Sequence, residues 1–377
     1  MDSYAVETTK PLKPKESLVA RLVTALTRIL ISLVVPIGLF VVLWQGFLFL
    51  RTSQAPQIVL ISVAIVWGVG GVAALFGVTN WLVERLPSEW TRRLQPFVFV
   101  GPALAILSWY LFIPVIRTFI LSFQNDISTQ FVGFSNYIFA FTNRVMLISF
   151  RNNLLWLVFG TLFSVGLGLV VAVLADRTRF ENIYKAIIFL PMAISFVGAG
   201  VIWKFVYAYM GQGANIHEIG LLNAILVGLG GKAQPWLTLS PWNNFLLIII
   251  MVWLQTGFAM VIISSAVKGI PGELLEAARV DGANELQVFF SIIIPSISGT
   301  LLTVITTIVI FSLKLFDVVY VMTGGNFGTD VIANEFYLQR FTYNNAGRAS
   351  AIAIVLLVST IPVMIYNLRQ FQERRAF

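Results

Sequence analysis

The sequence predicts an all-α protein built into a lipid bilayer and crossing it eight times. Three observations carry that expectation. The 377 residues are 58% hydrophobic and only 11% charged, whereas a soluble domain carries about 25% charged residues. The mean hydropathy of +0.87 exceeds what a soluble core could bury. The apolar residues fall into runs near the length of about 20 residues that a spanning helix needs.

Composition also excludes several functions. The net charge of +8 does not point to nucleic acid, because the basic residues are scattered between the apolar runs rather than gathered on one face. No cysteine is present, so disulfides, thiolate catalysis and cysteine-based metal sites are excluded. His217 is the only histidine. It lacks sequence partners for catalysis or metal binding and reads as an exposed loop residue.

Residues 1–20 are polar, with Lys10, Lys13, Lys15 and two prolines, and read as a cytoplasmic tail. The run 29–50 that follows is too long for a signal-peptide core and lacks a clear cleavage site, so it is an anchor that stays. Eight runs qualify as spans: roughly 24–50, 58–83, 97–116, 153–175, 186–208, 245–267, 299–322 and 350–367. Most are apolar all round, so length rather than periodicity decides each assignment. Pro102 and Pro114 interrupt the third run, and Lys314 and Asp317 the seventh. Gly166, Gly168, Gly198 and Gly200 are expected to let helices pack closely.

Orientation follows from charge. With the N-terminus inside, sixteen basic residues fall on the cytoplasmic side and seven outside. The positive-inside rule therefore places both termini in the cytoplasm. Segments 117–151 and 208–244 then lie outside. They are rich in Asn, Gly and aromatic residues, and short interfacial helices facing a soluble partner are expected there.

Three constellations bear on mechanism. The first is the polar loop 268–297, far longer than a turn needs. Pro271-Gly272-Glu273 reads as a helix start. Leu274, Leu275, Ala277 and Ala278 give an apolar face with small residues. Glu276 and Asp281 are polar members of the same stretch, and Gly282 is suited to end the helix. Residues 283–290 read as a second short helix, and Pro295 marks the bend into the next span. The plain reading is an amphipathic surface helix. The full spacing, in a cytoplasmic loop between two spans, favours a knob gripped by another protein.

The second constellation is Lys314 with Asp317, three residues apart and expected to share a helix face and pair. Charge at membrane depth is costly and is usually paired. A structural salt bridge and a functional pair both remain open. The Gly-rich stretch 323–329 lacks the ending of a phosphate loop, and no GxxxxGK[ST] occurs in the chain, so the chain does not itself bind ATP in that way. The third is the set of aromatic and polar positions in spans six and seven, including Trp253, Gln255, Phe258, Phe311 and Ser312. Sugars stack on aromatic faces and hydrogen-bond a few fixed polar groups. Lipid contact or helix packing competes for any single aromatic ring. An amide such as Gln255 facing lipid would be unsatisfied.

The spacing Glu276-Ala277-Ala278, three residues, Gly282, nine residues, then Ile292-Ile293-Ile294-Pro295 resembles the EAA loop of ABC importer permeases, with Ile294 where that family has Leu. From about residue 97 onward the chain resembles the carbohydrate-type permeases of the maltose and glycerol-phosphate group. Phe131-Val132-Gly133, Asn136-Tyr137, Arg151-Asn152-Asn153, Phe189-Leu190-Pro191, Phe316-Asp317 and Thr323-Gly324 carry the likeness. The stretch 326–334 departs from the usual Gly-Gly-Pro continuation and looks closer to permeases for α-glucosides and for glucosylglycerol.

The resemblance implies a type I ABC importer permease fold. A tail (1–20) and two additional spans (21–96) precede a six-helix core (97–377) that carries the coupling loop 268–297. The large external domain of some members is missing. It implies a transport subunit rather than an enzyme, in a bacterial inner membrane. The expected partners are a second permease in a heterodimer, two ABC ATPase subunits that bind ATP and Mg, and an extracytoplasmic sugar-binding protein. Catalytic residues, metal ligands and a cofactor are expected to be absent from this chain. Coupling to the ATPases falls on Glu276, Ala277, Ala278, Asp281, Gly282 and Pro295. By position, sugar contacts fall on Leu254, Gln255, Phe258, Phe311, Ser312 and Leu315. The competing reading is an ion-coupled secondary transporter with Lys314 and Asp317 as coupling charges. It leaves the long loop unexplained, and inverted repeats are not evident.

Overall fold

The computed structural model describes residues 18–86, 88–176, 178–210 and 220–374, with side chains left undescribed at 18–33 and at most positions beyond 366. Residues 1–17 of the expected tail and His217 lie outside that range. The described residues form helices and turns with a single isolated β-bridge, between Gln124 and Phe131. Two compact units emerge, Met1–Pro114 and Val115–Phe377.

The first unit contains α1 (Leu18–Thr52), α2 (Gln57–Glu84) and most of α3 (Ser88–Leu121). Gly46 lets the two helices meet: a Cβ there would stand 2.2 Å from Trp67. The Trp67 indole donates to the Leu43 carbonyl at 3.0 Å. The turn into α3 is fastened by Thr91, whose hydroxyl bonds the Val83 and Leu86 carbonyls. The apolar side chains of these helices point outward, with none of the residues in their most apolar windows buried. That is what lipid or a partner subunit as neighbour requires, since neither is polar.

The second unit continues through α4 (Ser135–Thr142), α5 (Arg144–Ala175), α6 (Glu181–Ala193), α7 (Phe196–Val206), α8 (Leu221–Gly228) and α9 (Trp242–Lys268). It then runs through α10 (Gly272–Val280), α11 (Glu285–Ser296), α12 (Ser298–Leu313), α13 (Asp317–Met322), α14 (Ile332–Tyr337) and α15 (Ala346–Arg374). The central element is α9, with two thirds of its most apolar window buried. Leu247, Ile250, Met251, Leu254, Met260 and Ile263 all belong to one core. Gly168 of α5 faces it so closely that a Cβ would lie 2.5 Å from that of Ala259. Gly200 likewise sits against Val321. The packing role expected of four glycines therefore holds for these two. Gly166 has open space around it, and Gly198 faces only its own helix cap at Ser195 and Ile194.

Among the described residues, six helices are long and apolar enough to cross a membrane, or eight if each of two bent pairs counts as one span. One bend corrects the expected continuous fifth span, and the other is the bend expected at Pro295. The chain turns by 102° between α6 and α7. There Leu190–Ala193 tightens into a 3-10 turn and the Ser195 hydroxyl caps α7 through the Gly198 N–H. It turns by 73° between α11 and α12, just past Pro295, whose ring removes a helix donor.

The seventh span does not run to 322. Helix α12 ends at Leu313, and α13 begins only at Asp317. The break sends Leu315 into the core and stacks Phe316 on Tyr320 and tilts it against Tyr337, with ring centres 5.0 and 5.2 Å away.

Candidate functional site

Two ends of the second unit and its interior hold the candidate residues. At one end stands the hairpin α10–α11. Pro271 precedes the first helical residue, and Glu273 lies in the first turn, where a carboxylate complements the helix dipole. Gly282 has φ +85°, a left-handed conformation that glycine adopts without strain, so the chain reverses there. Asn284 and Gln287 form a reciprocal capping box at the start of α11, two residues later than the expected second helix. Arg279 bridges to Glu285 at 3.0 Å and ties the two arms.

The expected apolar face of α10 is divided. Leu275 and Ala278 pack against the core. Leu274, Glu276, Ala277, Val280 and Asp281 are exposed. The result is a rigid, capped knob with an unburied mixed face. Beside it, Lys185 bonds Asp176, Glu181 and Ser264, and Lys268 bonds Glu181. This cluster joins the end of α5, the start of α6 and the end of α9. Its bonded pairs lie up to 88 residues apart, beyond the reach of local pattern reading.

At the other end, residues 323–334, a loop and the first turn of α14, are held by asparagines. Asn152 donates to the Gly328 and Asp330 carbonyls at 2.8 and 2.7 Å. Asn153 accepts from the Ile332 N–H at 2.8 Å. Asn243 donates to Phe327, and Asn244 to Gly328. Inside the loop, Asn334 donates to the Asp330 carboxylate at 2.7 Å. Burial, with Glu335 close by, pushes the Asp330 carboxyl up to about 7. Asn152 and Asn153 are among the residues quoted for the family resemblance; the partners they hold are 176 to 179 residues away.

The interior positions are not gathered on one open wall. Leu254, Ser312 and Leu315 are packed in the core, and Phe258 is half-buried. The Ser312 hydroxyl is spent on the Ile308 carbonyl of its own helix and lies 3.6 Å from the Met251 sulfur. Gln255 is 5% exposed and makes no side-chain hydrogen bond to another described residue. Phe311 is exposed, at 45%.

The expected Lys314–Asp317 pair does not form. Lys314 caps the end of α12, Asp317 opens α13, and no ion pair joins them among the described residues. A break between helices removes the shared face on which their spacing would have aligned them. No cluster of three or more potential metal ligands occurs among the described residues.

Comparison with known proteins places this arrangement. Residues 164–377 match the family model described as the inner-membrane component of binding-protein-dependent transport systems. The chain is 58% identical over 277 residues to the osmoprotective compounds uptake permease protein GgtC of Synechocystis sp., covering 74% of this chain and 99% of that one. It is 44% identical over 327 residues to the alpha-glucoside transport system permease protein AglF of Rhizobium meliloti, covering 83% and 97%. A chain of a bacterial alginate ABC transporter, solved with a pentasaccharide-bound periplasmic protein, has the same fold. Its TM-score is 0.64 at 20% identity, over 75% of this chain and 95% of that one. These matches do not favour the ion-coupled alternative. The chain belongs to the inner-membrane components of binding-protein-dependent transport systems: it is a multi-pass permease subunit of an ABC importer, not an enzyme.

Proposed function

We propose that this permease imports a sugar or sugar-derived osmolyte of the α-glucoside or glucosylglycerol type. ATP is hydrolysed in two partner ATPase subunits, and a second, different permease completes the pathway. The substrate class follows the printed activities of the two relatives named above. The observation that carries the mechanical reading is the capped α10–α11 hairpin, whose exposed face holds Glu276, Ala277 and Asp281 between two apolar spans. ATPase closure pushes on that face, Gly282 preserves the reversal, and Pro295 passes the motion to the bend into α12. Domain organisation follows the same reading: residues 21–96 add two spans to a core beginning near residue 97.

Gln255 is the residue proposed to recognise substrate, with Leu254, Phe258, Phe311, Ser312 and Leu315 around the path. Its amide makes no side-chain hydrogen bond to another described residue, and a sugar hydroxyl supplies a partner once the helices part. Uptake of radiolabelled sucrose and trehalose, in cells carrying the complete importer, tests this. Gln255→Leu is expected to assemble normally and to change the ratio of the two uptake rates by about tenfold. Equal loss for both sugars with a reduced yield of complex assigns Gln255 to packing instead.

Both termini are placed in the cytoplasm by the basic-residue bias. In the naturally cysteine-free chain, Ser135→Cys is expected to react with a membrane-impermeant thiol reagent in intact cells and Glu89→Cys to resist it. The reverse pattern inverts the topology.

A further inference from the structure

Beside the clamped loop lies a second polar cavity, of about 420 Å³, within the range of small-molecule sites. It draws its lining from α4, α5, α14 and the start of α15, and shares no residue with the Gln255 region. Glu335 and Gln339 form its floor and are only 3% and 4% exposed. The Gln339 Nε2 donates to the Glu335 Oε1 at 2.7 Å. Since a carboxylate accepts, this fixes which way the amide points. The Gln339 Oε1 is left buried without a hydrogen-bond partner among the described residues. An orphaned buried acceptor is destabilising, so the site calls for an incoming donor.

The remaining polar lining is preset. Asn143 and Asn345 each use their carboxamide oxygen to cap a helix, accepting from the Val145 and Arg348 N–H groups. Their Nδ2 groups make no hydrogen bond to another described residue, and both residues line the cavity. Arg348 is held over the Phe139 ring at 4.1 Å, and Tyr343 is an exposed aromatic ring at the rim.

The ligand class follows by elimination. A bare anion meets the Glu335 carboxylate, and a bare cation meets Arg348. A neutral molecule bearing several hydroxyls satisfies both sets, donating to Glu335 and Gln339 while accepting from Arg348 and the two asparagines.

We propose that this cavity is a binding site for a neutral polyhydroxylated solute, separate from the translocation path and on the opposite end of the unit from the hairpin. The import reading enters only in the choice of probe.

The test uses Tyr343→Cys in the assembled importer, with labelling of this chain by an impermeant maleimide read as a gel shift. For millimolar affinity, sucrose at about 20 mM is expected to slow labelling about threefold or more. Glycine betaine at equal osmolality is expected to leave it unchanged. Adding Gln339→Leu should abolish the protection, and adding Gln255→Leu should keep it. Arg348→Gln, on the rim rather than the floor, serves as the second variant should Gln339→Leu fail to assemble, and should also abolish protection. Equal slowing by betaine, no slowing by sucrose, or protection that survives both Gln339→Leu and Arg348→Gln overturns the site. Sucrose uptake measured on the same cells separates the two readings: uptake without protection removes this site and leaves the import function standing.

Discussion

The hairpin 272–296 and the loop 323–334 flank the same helix, α12, and are built on opposite principles. The hairpin is held mostly by its own local devices: a proline entry, a positive-φ glycine, a capping box and one exposed ion pair. It leaves Leu274, Val280, Leu286 and Phe290 uncovered. The loop is held from outside, by asparagines of α5 and α9, and buries Thr329, Asp330 and Asn334. One segment is a finished shape waiting for a surface, and the other is a shape that exists only because its neighbours impose it. The lesson is that the hairpin end is stiffened locally, while the loop end is fastened to the core.

Breaking the hairpin should have the largest effect. Proline holds φ near −65°, whereas Gly282 has φ +85° and donates its N–H to the Arg279 carbonyl. Gly282→Pro is expected to remain in the membrane while uptake falls by about tenfold or more, and ATPase copurification falls with it. Normal uptake would show that the reversal does not matter to coupling.

Breaking the clamp comes next. Asn152→Leu leaves the buried Asp330 carbonyl without its donor and removes one of two donors from the Gly328 carbonyl, at about 2 kcal/mol. A lower melting temperature of the purified chain and a proportionate loss of uptake for every sugar are expected. A change in sugar preference would instead put the loop in substrate recognition.

The smallest effect sharpens the contrast through pH. The Asp330 carboxyl sits at about 7 against 3.8 in the open chain, so the native state holds the proton more tightly. Its contribution is present below about pH 4 and lost as pH rises through 7. Melting temperature is expected to fall by about 2 °C or more between pH 5.5 and 8. Asp330→Asn, which stays neutral, should flatten that slope. An unchanged slope moves the titration elsewhere.

Sequence reading and structure agree where the determinants are local. The apolar runs, the proline entry at 271, the reversal at Gly282 and the bend after Pro295 are all written within a few neighbouring residues. The turn near 195 was nearly readable: Pro191, and Ser195 three residues before Gly198, are cap signals that an apolar run of span length outweighed. The break at 314–316 was not readable, because no glycine or proline marks Lys314-Leu315-Phe316. Tertiary packing of Leu315 and the tilted contact of Phe316 with Tyr337 pull the chain out of its helix. The asparagine clamp lay beyond local reading for a different reason. Nothing near Asn152 specifies a carbonyl 176 residues away; the residue was visible only through the family likeness, and its partner not at all.

The clamp has a consequence for divergence. Asn152, Asn153, Asn243 and Asn244 grip main-chain atoms of Phe327, Gly328, Asp330 and Ile332. A grip on the main chain does not read side chains, so the segment it holds is free to change its letters while keeping its path. The departure of residues 326–334 from the usual Gly-Gly-Pro continuation is of this kind. A chain built on the same scaffold can therefore carry other side chains in this stretch while the four fasteners keep its path.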